Sequence, residues 1–176
     1  MTLSRLYWLV YVQSLEVIVK AIVAAVALWT LFACLLRKTR LWRWVNIPLC
    51  AAAVAGILYT TLVSRSVGDY SPRLIPFYSF YAAREQVEYY RSMLMNTALF
   101  VPLGLTLPFC IQGDKPARRV VLYALILSLA IEALQFILRL GTLETDDVLC
   151  NALGAMIGAA PELLSRWRIR KSRSTT

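Results

Sequence analysis

Asn96-Thr-Ala-Leu-Phe-Val-Pro-Leu-Gly-Leu-Thr-Leu-Pro108 decides the fold when read with Ile131-Glu-Ala-Leu-Gln135 and Gly141-Thr-Leu-Glu-Thr-Asp-Asp-Val-Leu-Cys-Asn151. These stretches sit in apolar segments long enough to cross a bilayer, yet they carry Asn, Glu, Gln and Asp where lipid would penalise them. Polar and ionisable groups at membrane depth are costly, so they face a bundle interior or a water-filled cavity. The pattern predicts an all-α integral membrane protein whose buried polar side chains face one another.

Composition supports this class. Of 176 residues, 59% are hydrophobic and only 16% charged, against about 25% charged in soluble domains. The net charge of +9 is clustered between apolar segments, which marks cytoplasmic loops facing acidic headgroups rather than nucleic acid. The chain has no histidine, which excludes a Ser-His-Asp triad, a Cys-His pair and a His-ligated zinc. Cys34, Cys50, Cys110 and Cys150 show no paired spacing and read as small buried hydrophobes.

Working outward, five spans are expected in a single domain covering 1–176. They lie at about 17–36, 45–64, 92–111, 119–138 and 148–164. Residues 1–16 are a semi-polar lead-in, retained rather than cleaved, because the apolar run continues to Leu36. Lys20 interrupts the first span, with a stem long enough to snorkel towards an interface. Residues 74–81, Leu-Ile-Pro-Phe-Tyr-Ser-Phe-Tyr, are apolar and aromatic but too short to span, so an interfacial or re-entrant segment is expected there. Lys and Arg number twelve in the 37–44 hairpin, the 112–119 turn and the 166–173 tail, against seven elsewhere. The twelve mark the cytoplasmic side, which puts the N-terminus outside and the C-terminus inside a bacterial cytoplasmic membrane.

That topology brings polar groups from three spans to one depth. At about 1.5 Å per residue, Asn96 lies roughly 7 Å below the outer rim, Glu132 roughly 10 Å and Asn151 roughly 6 Å. Glu132 and Gln135 share a helix face, as do Asp147 and Asn151. The expectation is an outward-opening pocket lined by Asn96, Glu132, Gln135, Asp146, Asp147 and Asn151, with Arg91 at its rim. A plainer reading stands beside it. Asn, Gln and Glu serve as interhelical glue, Glu132 pairs with Arg91 or Arg139, and one of Asp146 and Asp147 caps the fifth helix. Pro102 and Pro108 kink the third span. Gly104, Gly154 and Gly158 read as structural, the last two allowing close helix approach.

The ordered set Asn96-x3-Phe100-x-Pro102-x-Gly104, Glu132-x2-Gln135, Gly141, Glu144-Thr-Asp-Asp147 and Asn151-x2-Gly154-x3-Gly158 resembles the VanZ-like family of bacterial membrane proteins. Leu74-Ile-Pro-Phe77 and Arg91 fit the same pattern, and the likeness covers about 74–160. Glu144 stands where the family more often has Asp, and Thr142 where Arg is common. The resemblance implies a cell-envelope role linked to low-level teicoplanin resistance, without an accepted mechanism.

Three functions are therefore in play. The first is a binding or accessory protein whose pocket engages a cell-wall precursor, its lipid carrier or a glycopeptide. The second is a membrane enzyme with Glu132 as general acid or base, in which Glu144, Asp146 and Asp147 hold a divalent cation against a phosphate-bearing lipid. The third is a small transporter subunit. The expected partner in every case is the lipid bilayer, not nucleic acid, and no cofactor beyond that cation is implied.

Overall fold

A computed structural model describes residues 3–36, 39–65, 73–83, 87–111, 116–141 and 143–174. Arg37 and Lys38 of the first hairpin, the 112–115 turn, and Asp69, Arg84 and Glu85 of the mixed loop lie outside the described residues, as do the basic side chains of the tail.

The chain is an all-helical membrane bundle. Helix α1 runs Leu3–Leu36, α2 Arg40–Leu58, α3 Tyr78–Ala82, α4 Val87–Cys110, α5 Pro116–Leu138 and α6 Thr145–Ser174. Among the described residues, three stretches are long and apolar enough to cross a membrane: Arg40–Val63, Glu88–Cys110 and Arg118–Leu138; α1 contains a further apolar stretch, Val19–Ala33. Large side chains are turned outward along them, including Leu122, Ile126, Leu129 and Ile137 on α5. An aliphatic exterior of this extent suits lipid rather than water.

Each of the five long helices overlaps one expected apolar segment, but the ends differ: α2 stops at Leu58 and the rest of its segment is a π-turn, Tyr59–Val63. α1 takes in the lead-in, because Arg5, Gln13 and Glu16 are compatible with helix even though they are not lipophilic. Lys20 pairs with Glu16 one turn earlier. α2 absorbs much of the basic hairpin: Thr39 is its N-cap, accepting from the Trp42 backbone N–H at 3.2 Å. α6 begins at Thr145, three residues before the expected span, with Asp146 and Asp147 in its first turn, and runs on to Ser174.

The core forms where α4 and α6 meet. A Cβ on Gly104 would collide with the Ala155 carbonyl oxygen, one on Gly154 with that of Thr97, and one on Gly158 with that of Val101. The two backbones are thus in direct contact. Around this seam pack Phe100, Leu103, Val120, Ala124, Ile131 and Ile57. At the opposite end from the acidic turn, Trp29 donates to the Leu105 carbonyl at 2.8 Å, and Trp42 lies between Trp29 and Phe109.

Helix α2 ends in a π-turn, Tyr59–Val63. Thr60, Thr61 and Ser64 each turn their hydroxyl back onto a carbonyl four residues earlier, at 2.9, 2.7 and 2.7 Å. Such back-bonding widens and bends a helix. Beyond it, the chain returns at Arg73 to a single parallel bridge with Glu144. The Arg73 N–H donates to Leu143 O at 2.8 Å and the Thr145 N–H to Arg73 O at 3.4 Å. The 73–83 strap is thereby fastened over the end of the bundle where α4 begins, α5 ends and α6 begins.

Candidate functional site

Three helices bring their polar residues to the strapped end. Along α5, Ser128, Glu132 and Gln135 share one face; along α6, Asp147 and Asn151 do. The Asn151 amide nitrogen donates to Ser128 Oγ at 2.8 Å, which fixes the antiparallel register of the two helices. One turn further out the Glu132 and Asp147 carboxylates come close enough to feel each other's charge. Glu132, Gln135, Asp147 and Asn151 are all buried, at 4%, 1%, 7% and 4% exposure. α4 contributes Asn96, whose amide lies beside Asp147. Its Nδ2 is buried and makes no well-formed hydrogen bond among the described residues.

The surrounding contacts set the shape. Glu132 Oε2 accepts from the Glu144 backbone N–H at 3.2 Å. Gln135 donates through Nε2 to the Thr61 carbonyl at 2.7 Å, a helix-end carbonyl that needs an outside donor. α5 stops at Arg139, which is left-handed (φ 54), and the chain turns back through Gly141 (φ 150). That positive φ is what calls for glycine at 141, and the Arg65 guanidinium lies close by, its Nη1 2.9 Å from where a Cβ would stand. From that position the Arg65 charge reaches both Glu132 and Asp147. In the first turn of α6, ahead of the expected span, burial and the neighbouring Glu144 charge push the Asp147 carboxyl up to about 6, against the pull of Arg65 and Asn96.

Two acids serve the strap instead of the inner cluster. Asp146 accepts from the Phe77 N–H at 2.6 Å and the Ser79 N–H at 2.7 Å, holding Phe77 in a left-handed conformation (φ 65). Glu144 pairs with Arg73 at 3.2 Å and accepts from Ser79 Oγ at 3.4 Å. The Arg73 guanidinium lies over the rings of Tyr78 and Tyr89, and donates to the Tyr89 hydroxyl at 3.0 Å. The divalent cage expected from Glu144, Asp146 and Asp147 is corrected accordingly. Among the described residues no three His, Cys, Asp or Glu side chains are grouped to hold a metal, because Asp146 and Glu144 turn to the strap while Asp147 turns inward. Arg91 is exposed on α4, and Arg65 and Arg73 are the cations beside the acids.

Helix-face spacing foreshadowed the Glu132–Gln135 and Asp147–Asn151 pairs. Ser128 was missed, although it stands one turn before Glu132 on the same face. Arg65, Arg73 and Ser79 carried no spacing signal at all.

The family model described as VanZ/LLP1 matches residues 49–161, a stretch that contains the strap, the seam and every polar residue of the cluster. This chain belongs to the VanZ/LLP1 family. Protein VanZ of Enterococcus faecium is similar, 34% identical over 71 residues. That match covers 39% of the present chain and 42% of the Enterococcus faecium protein, less than half of that relative's length. No solved structure matches the chain. The VanZ/LLP1 match begins inside α2 and ends inside α6, so α1 falls outside it.

Proposed function

We propose that this VanZ/LLP1 protein is a multi-pass protein of the bacterial cytoplasmic membrane, with its N-terminus outside and its C-terminus cytoplasmic. Its strapped end then faces outward and engages a cell-wall precursor, its lipid carrier or a glycopeptide, contributing to teicoplanin-type resistance. The observation that carries this reading is the meeting of Asn96, Glu132, Asp147 and Asn151, from three separate helices, beneath one strap. Interhelical glue alone needs no such gathering of acids. The similarity to Protein VanZ and the family's association with teicoplanin resistance support the cellular role. The test is glycopeptide susceptibility at matched membrane levels. Deletion, Glu132→Gln and Asn151→Ala are expected to lose protection together. Full protection by both variants would reduce the cluster to packing.

A second reading has one observation in its favour. Glu132 is a buried acid with one oxygen tied to the Glu144 amide, an arrangement suited to a general acid or base acting on a phosphate-bearing lipid. Product formation from such a lipid in proteoliposomes, abolished by Glu132→Gln, would establish it over binding.

A further inference from the structure

The α5–α6 seam holds more acceptors than the protein satisfies. Gln135 and Asn151 spend their amide nitrogens on Thr61 O and Ser128 Oγ. Their side-chain oxygens, Gln135 Oε1 and Asn151 Oδ1, are buried with no partner among the described residues. Buried amide oxygens are normally supplied with a donor.

The charge at the same place is also uneven. Asp146 is held by two backbone amides and Glu144 by Arg73. That leaves Glu132 and Asp147 facing the seam, with Arg65 as the cation whose charge reaches both. Two carboxylates against one guanidinium leave the ionised seam one positive charge short. Asn151 stands one turn below Asp147, tied to Ser128 one turn below Glu132, so its unpaired oxygen lies at the foot of the two acids.

Surplus acceptors and a missing positive charge in one place call for a cation that donates hydrogen bonds. We propose that the seam between Glu132, Asp147 and Asn151 binds a primary ammonium group, R–NH3+, carried by a ligand at headgroup level. This rests on the outward-pocket reading above and names the chemistry that pocket takes. A phosphate or carboxylate would set lone pairs against lone pairs and add to the negative charge. A quaternary ammonium would supply the charge but no N–H for Asn151 Oδ1. Asn96 Nδ2, a buried donor, is turned to the Asp147 carboxyl and helps hold it ionised beside the ammonium. Gln135 Oε1, about 10 Å along α5 from Ser128, meets a donor further along it.

Two sources of the group are separable. For a lipid source, the full chain is placed in phosphatidylglycerol nanodiscs with either phosphatidylethanolamine or phosphatidylcholine, and retained lipid is counted by native mass spectrometry. For a soluble source, thermal unfolding in detergent is compared in methylammonium and tetramethylammonium chloride at equal ionic strength. Preference for the primary amine in either arm supports the proposal and names its carrier. The expected preference is about tenfold, the worth of one charge-assisted hydrogen bond, falling to parity in Glu132→Gln and Asn151→Leu. Equal retention together with equal stabilisation overturns the proposal, as does a preference that survives Glu132→Gln. Should that variant fail to fold, Asp147→Asn takes its place, with parity again expected and a surviving preference again fatal.

The susceptibility assay separates this inference from the reading beneath it. Lost protection without amine selectivity sinks the ammonium and leaves the pocket. Amine selectivity with unchanged protection upholds the ammonium and sinks the pocket's part in resistance.

Discussion

Asp147 and Asp146 are neighbours with opposite tasks, and each gives a separate measurement. The Asp147 carboxyl rises from 3.8 to about 6 on folding, chiefly through burial. A group that binds its proton more tightly in the folded state costs nothing while protonated in both states. The cost appears as pH climbs from about 4 to about 6 and then stays constant. At 1.36 kcal/mol per pH unit, two units amount to about 3 kcal/mol. Asp147→Asn removes that penalty, so its stability relative to the wild type is expected to rise between pH 4 and 6 and level off above. Thermal unfolding of both proteins in detergent across that range checks the slope, and a flat difference would refute it. Asp146, by contrast, holds the Phe77 and Ser79 amides. Each bond to a charged acceptor is worth about 1.5–3 kcal/mol. Asp146→Ala should therefore free the strap while the bundle stays folded, seen as faster hydrogen exchange at those two amides with little change in α4 and α6.

Helix α6 shows most clearly how far element-level reading reaches. Its small residues, Gly154, Ala155, Gly158 and Ala159, let its backbone touch α4. Gly158→Leu must push the two helices apart, with an expected loss above about 3 kcal/mol, the scale of severe overpacking. Gly56→Ala in α2 is the control, since nothing lies within 4 Å of its Cβ position; better helix propensity there should stabilise by up to about 1 kcal/mol. Unfolding in mixed micelles compares the two, and equal effects would contradict the α4–α6 contact. GxxxG spacing in the sequence pointed to a close approach but not to its partner helix, because spacing names a face and not what covers it. Likewise the five apolar stretches located the helices but not their ends. Hydropathy reports preference for lipid, whereas helix length follows capping and continuity, as Thr39 and the polar start of α1 show. Within the site, Glu132, Gln135, Asp147 and Asn151 were legible from spacing. Thr61 was not, since it contributes a backbone carbonyl from within a π-turn, and Arg65 depends on where that turn aims the chain.

At the scale of the whole molecule, the bundle is asymmetric from end to end. Acids, amides and the strap gather where α5 passes into α6, while a tryptophan cluster closes the other end, beside the basic start of α2. In a membrane these ends meet different environments. The topology proposed above puts the tryptophan end in the cytoplasm and the strapped end outside, because basic residues resist translocation and anionic cytoplasmic lipid favours them. With five crossings, as proposed, the two termini lie on opposite sides. The prediction is direct: a cysteine replacing exposed Leu74 on the strap should react with a membrane-impermeant maleimide added to intact cells, in a background where the native cysteines are replaced by alanine. A cysteine at exposed Trp44, at the basic end of α2, should react only after the membrane is opened. The reverse pattern would turn the pocket towards the cytoplasm, where no extracellular glycopeptide could reach it. The physics of the seam, its unpaired oxygens and its missing positive charge, would stand unchanged, but its ligand would then have to be sought in the inner leaflet.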